Sequence, residues 1–68
     1  MIRITFNTNR HSMTIQSESM GIKEYQNIMT IKEMTGFYEV RQRQQSTDKN
    51  APIFRLPINH TIIEYIHE

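Results

Sequence analysis

Residues 2–6, Ile-Arg-Ile-Thr-Phe, carry an apolar side chain at every second position. Successive side chains on a strand point to opposite faces, so this spacing puts Ile2, Ile4 and Phe6 on one face and Arg3 and Thr5 on the other. Asn-Thr-Asn-Arg follows, rich in the turn-forming asparagine. The alternation then resumes through His11–Ser17, with Met13 and Ile15 facing inward. The pattern predicts a β-hairpin over residues 2–17.

A chain of 68 residues allows one domain, spanning residues 1–68. At this size folding buries only about 60% of the unfolded surface, so the core is marginal. With no cysteine, neither a disulfide nor a thiolate-held zinc can reinforce it. Stability must come from packed β-branched residues or from a partner. The net charge of +1 is too mild to announce a nucleic-acid or membrane partner. The first ten residues hold no apolar run of the kind a secretory signal needs, and nowhere does the chain approach the ~20 apolar residues of a membrane helix. A cytoplasmic protein is expected. Isoleucine occurs eleven times and alanine once, a bias toward AT-rich codons that, in so short a chain, points to a phage or mobile-element product.

Residues 18–24, with Gly21, are expected to form a connection. The stretch after them is ambiguous. A short helix around residues 20–35 would have Ser19 near its start and Gly36 just past its end, as helix caps should be. Its apolar residues (Ile22, Tyr25, Ile28, Met29, Ile31 and Met34) scatter around the helical wheel instead of forming a stripe. A strand is favoured, with Tyr25, Met29 and Ile31 on one face and Ile28 and Thr30 on the other. Gly36 then supplies the left-handed residue of a second hairpin turn. Phe37–Gln44 reads as a strand with Tyr38 and Val40 inward, and residues 45–51 as a polar loop. From Pro52 onward Phe54, Leu56 and Ile58 alternate with Ile53, Arg55 and Pro57, and Pro57 marks a strand end or an edge.

The last segment, Pro57–Glu68, admits two conformations with different consequences. As a helix it would bring His60, Glu64, His67 and Glu68 to one side at i, i+4, i+7 and i+8, as a metal or acid–base site requires. But Thr61, Ile62 and Ile63 are consecutive β-branched residues, with Tyr65 and Ile66 close behind, and these types favour strands. A bend followed by a short strand is expected, with Ile62, Glu64 and Ile66 on one face and Ile63 and Tyr65 on the other. No metal site or cofactor is then implied. The fold expected is all-β: a single small antiparallel sheet of five or six strands, rolled into an SH3-like or Sm-like barrel or left as a meander.

No catalytic set is evident. Two isolated glycines cannot build a phosphate loop, and His11 beside Ser12 in sequence does not face it in space. A non-enzymatic protein is expected. Two features carry functional candidates. On a strand, Arg41 and Arg43 share a face with Phe37, and Arg55 can lie opposite them. Guanidinium groups bind phosphate and aromatic rings stack on unpaired bases, so these four residues form a candidate nucleic-acid or partner face. The ordinary alternative is a solvated face balanced by Glu33 and Glu39, from which Arg41 and Arg43 can be removed with little loss of stability. Met20 and Ile22 flank Gly21 and form a candidate docking loop. The unpaired edges of a small sheet also invite strand addition by another protein or a second copy of the chain. The leading expectation is a protein–protein interaction module, a phage-type inhibitor or adaptor of a larger host protein or a self-associating protein. A single-stranded nucleic-acid binder is the alternative.

Overall fold

The computed structural model describes residues 1–44 and 50–67. The stretch 45–49, expected as a loop, and Glu68 lie outside the described residues. Strands dominate: β1 (Ile2–Asn7), β2 (Ser12–Ser17), β3 (Gly21–Tyr25), β4 (Ile28–Glu33), β5 (Phe37–Arg43), β6 (Asn50–Pro57) and β7 (Thr61–Ile66), with a one-turn 3-10 helix, Ile58–His60, before the last. The all-β expectation holds, with seven described strands in place of five or six. The expected rolled sheet does not close into a barrel. The strands form a four-stranded sheet in the order β3-β2-β1-β7 and a three-stranded sheet in the order β4-β5-β6. Every pairing is antiparallel except β1 with β7, which is parallel.

One core joins the two sheets. Ile4, Phe6, Met13 and Ile15 come from the larger sheet, and Ile28, Val40 and Leu56 from the smaller; all are buried in one cluster. The first hairpin forms as its alternation predicts, with Ile4 opposite Ile15 and Phe6 opposite Met13. Its turn is held by the Asn7 carboxamide, whose Oδ1 accepts the N–H groups of Asn9 and Arg10, each at 3.1 Å.

Residues 20–35 contain no helix. The connection expected at 18–24 is also wrong in part: only Glu18–Met20 turn, and Gly21 opens β3, which pairs with β2 from Ser17↔Gly21 to Met13↔Tyr25. The Ser17 hydroxyl accepts the Met20 N–H at 3.0 Å, and Gly21 takes φ of 72°, a left-handed conformation that costs glycine little. The chain then passes from the larger sheet to the smaller at Gln26–Asn27. Asn27 is left-handed, with φ of 60°, and two backbone bonds fasten this corner: Ile28 N–H to His11 O at 2.7 Å and Arg43 N–H to Asn27 O at 2.8 Å.

Two bulges explain why alternation fails in the smaller sheet. In β4, Ile28 opposes Gln42 but Thr30 opposes Arg41, leaving Met29 as an extra residue. Ile28 is therefore buried and Ile31 packs against the same core, three positions on. The expected grouping of Tyr25, Met29 and Ile31 against Ile28 is corrected: Tyr25, Ile28 and Ile31 reach the core and Met29 does not. In β6, Val40 opposes Phe54 while Arg41 opposes Pro52, so Ile53 is the extra residue and packs inward beside Phe54. This strand starts at Asn50, ahead of Pro52. Both its prolines are tolerated because, among the described residues, β6 is an edge strand paired with β5.

The C-terminal segment is a bend and a strand, as its β-branched run predicts. The Thr61 hydroxyl donates to Pro57 O at 2.7 Å and its N–H to Ile58 O, closing the turn. Ile63 then lies beside Ile4, and Tyr65 beside Phe6 with ring centroids 6.0 Å apart.

Burial separates two isoleucines that sequence composition cannot. Ile4 is fully buried at the centre of the core, whereas Ile22 is 69% exposed on β3. Ile4→Ala should lose roughly 2–5 kcal/mol of stability in urea unfolding, and Ile22→Ala less than about 0.5 kcal/mol. A wild-type midpoint for Ile4→Ala would mean that the core is misplaced.

Candidate functional site: the arginine face and the open edges

The outer face of β5 gathers the predicted residues, around a residue of opposite charge. Phe37, Glu39, Arg41 and Arg43 alternate along the strand, and the register sets Arg55 of β6 and Lys32 of β4 on either side of Glu39. Arg41 Nε lies 2.8 Å from Glu39 Oε1, and Arg55 Nε lies 3.6 Å from Glu39 Oε2. The Arg55 guanidinium also stands 5.8 Å from the centroid of the Phe37 ring. Phe37, Arg41 and Arg55 are thus brought together; Arg43 lies further along β5, where its backbone joins the Asn27 corner.

Glu39 is the residue this face depends on, and it is only 5% exposed. A carboxylate removed from water needs charged or hydrogen-bonding partners, and the two guanidinium groups supply them. In return the carboxylate offsets their charge, and Arg55 covers one side of the ring that a base would stack on. The expectation that Arg41 is dispensable for stability is therefore revised: without it the carboxylate loses its shorter contact and, among the described residues, keeps the longer, more exposed one to Arg55. The signal was present in the sequence, a glutamate between Phe37 and Arg41 on one strand face, but its burial depended on both neighbouring strands.

The candidate docking loop divides between two elements. Met20 lies in the Glu18–Met20 turn, partly exposed, while Ile22 stands on β3 opposite Gln16. The histidines do not converge. His11 is in the first turn, His60 in the 3-10 helix, and His67 Nδ1 lies 2.6 Å from Thr8 Oγ1. Among the described residues no three metal-ligating side chains cluster, and no helix is long and apolar enough to cross a membrane.

The edges differ more than the faces do. Among the described residues, each sheet ends in two strands that pair on one side only: β3 and β7 in the larger, β4 and β6 in the smaller. On β6, Pro52 and Pro57 remove donors and the Ile53 bulge breaks the register. On β4, the Met29 bulge breaks the register and Lys32 adds a charge. β3 is short and carries Lys23 and Glu24 at its middle. These are the devices by which natural sheets discourage strand addition. β7 has no proline, bulge or lysine, and Glu64 is its one charged residue. Its six residues, Thr-Ile-Ile-Glu-Tyr-Ile, match β1 in unbroken register from Ile2↔Thr61 to Asn7↔Ile66. Ile62 and Tyr65 are 42% and 53% exposed.

The backbone of β7 is turned the same way. Thr8 donates its N–H to Ile66 O at 2.9 Å, so Ile66 faces β1. Along a strand the N–H and C=O of alternate residues point to opposite sides. Those of Ile62 and Glu64 therefore also face β1, and those of Ile63 and Tyr65 face the open edge, beyond which no described strand lies. Ile62 and Tyr65 were not singled out from the sequence, where the segment reads as scaffold. Only the parallel pairing with β1 makes β7 an edge.

No protein-family model, no curated protein and no solved structure matches this chain.

The ion-pair geometry gives a graded mutational test. Arg41→Ala should cost about 1–3 kcal/mol, because it strips a near-buried carboxylate of its short partner. Arg55→Ala, whose side chain is 69% exposed, should cost less than about 1 kcal/mol. In a double-mutant cycle, Arg41→Ala should cost less in a Glu39→Gln background than in the wild type. Equal effects for the two arginines would contradict this geometry.

Proposed function

We propose that this chain is a small non-enzymatic protein–protein interaction module that docks through the open edge of β7. The observation that carries this reading is the contrast among edges: β3, β4 and β6 each bear a proline, a bulge or a mid-strand lysine, whereas β7 offers a regular strand with exposed Ile62 and Tyr65. An added strand gains main-chain hydrogen bonds to Ile63 and Tyr65, and side-chain contacts on both faces of β7 set its specificity. Met20 and Ile22 at the far edge of the same sheet are a secondary contact region. The composition supports a phage or mobile-element origin, and with it the role of a cytoplasmic inhibitor or adaptor of a larger host protein. The non-enzymatic reading rests on the small size of the chain and the lack of a nucleophile–base pair in its sequence.

The gathering of Phe37, Arg41 and Arg55 favours a second reading, a single-stranded nucleic-acid binder, and Glu39 at its centre weighs against it.

Sedimentation of the pure protein with a labelled mixed-sequence single-stranded oligonucleotide, at low and moderate salt, separates the two. Docking through β7 predicts no salt-sensitive co-sedimentation. It also predicts that any protein retained by the immobilised chain is lost with Ile62→Lys and kept with Arg55→Ala. Oligonucleotide binding that falls steeply with salt and disappears with Arg55→Ala would overturn the docking reading.

A further inference from the structure

Glu64 sits at the middle of the open edge and bears on what can occupy it. It is exposed on the outer face of the larger sheet, beside Thr5 of β1 and between Ile62 and Ile66 on its own strand. No other charged side chain lies on β7 between Thr61 and Ile66.

A second copy is the simplest occupant to consider. Two β7 strands related by a two-fold axis normal to the sheet would pair antiparallel, and directly opposed side chains would share a face. The register that opposes the most residues sets Thr61 against His67, Ile62 against Ile66, Ile63 against Tyr65, and the Glu64 of one copy against the Glu64 of the other. Because the backbone groups of Glu64 face β1, that central pair would be of the non-hydrogen-bonded kind. Its Cα atoms would then be about 4.5 Å apart, where side chains are closest. Like charges directly opposed on a sheet destabilise the pairing. Slipping until Ile63 opposes Ile63 removes the clash but shortens the match to residues 61–65, because His60 belongs to the 3-10 helix.

A strand from another protein faces no such restriction. With a lysine or arginine opposite Glu64, the same position becomes an attractive cross-strand pair. Apolar or β-branched residues on either side would cover Ile62 on the outer face and Tyr65 on the inner.

We infer that the β7 edge takes an extended segment of a different protein with a basic residue facing Glu64, and that Glu64 disfavours pairing between two copies of this chain. The inference rests on the docking reading above and adds the chemistry of the occupant.

The test uses the intact chain and two capped octapeptides of alternating threonine and valine, one with lysine and one with glutamate at the position opposing Glu64. Amide exchange and chemical-shift titration are read at Ile63 and Tyr65. The lysine peptide should slow exchange at both amides and bind about five-fold tighter than the glutamate peptide. Glu64→Lys should reverse that preference while leaving the unfolding midpoint unchanged. Equal binding of both peptides at β7 would overturn the charge selection and leave the docking edge standing. No protection at β7 with either peptide would overturn the docking reading as well. Concentration-dependent protection of Ile63 and Tyr65 in the chain alone would overturn the inference in favour of a second copy.

Discussion

The parallel pairing of β7 with β1 is the constraint on which the rest of the structure depends. It joins the last described strand to the first and completes the inner face of the larger sheet. Ile4 is flanked by Ile15 on one side and Ile63 on the other, and Phe6 by Met13 and Tyr65. Without β7, two central core residues would face solvent along one edge. Parallel neighbours cannot be joined by a tight hairpin, and here the whole chain between β1 and β7, the smaller sheet included, forms the connection. Ile28, Val40 and Leu56, all within that connection, complete the same core. The same contact that completes the interior leaves β7 at the boundary of the sheet.

That arrangement shows where local sequence is informative and where it is not. The β1–β2 hairpin is legible because every term agrees: alternation, asparagine-rich turn and register. The β-branched run Thr61–Ile63 likewise overrides the helical spacing of His60, Glu64 and His67. Residues 20–35 are harder, because two features interrupt the period of two: the Gln26–Asn27 corner between sheets and the Met29 bulge. Ile28 and Ile31 reach one core only because a residue is inserted between them, and no count of alternation anticipates that. A bulge is set by the partner strand as much as by its own residues. The same holds for Ile53 and Phe54 in β6.

The site was legible in a similar, partial way. Phe37, Arg41 and Arg55 meet as their strand parity predicts, since parity is a local property. The burial of Glu39 beneath the arginines is not local: it needs β6 beside β5. It turns a face that resembles a cationic patch into an internally balanced one. The β7 edge was the least legible part. Ile62 and Tyr65 look like scaffold in sequence, because strand order decides which β-rich segment is left unpaired, and strand order follows from the long-range β1–β7 contact.

Residue-resolved amide exchange along β7 in the chain alone addresses that contact most directly. The parallel pairing, with β7 as a free edge, predicts an alternation: slow exchange at Ile62, Glu64 and Ile66, whose N–H groups face β1, and fast exchange at Ile63 and Tyr65. Fast exchange at every position would show that β7 does not pair with β1. Slow exchange at Ile63 and Tyr65 with fast exchange at their neighbours would place its backbone the other way round. Either result would remove the basis for the edge and for what is proposed to bind it.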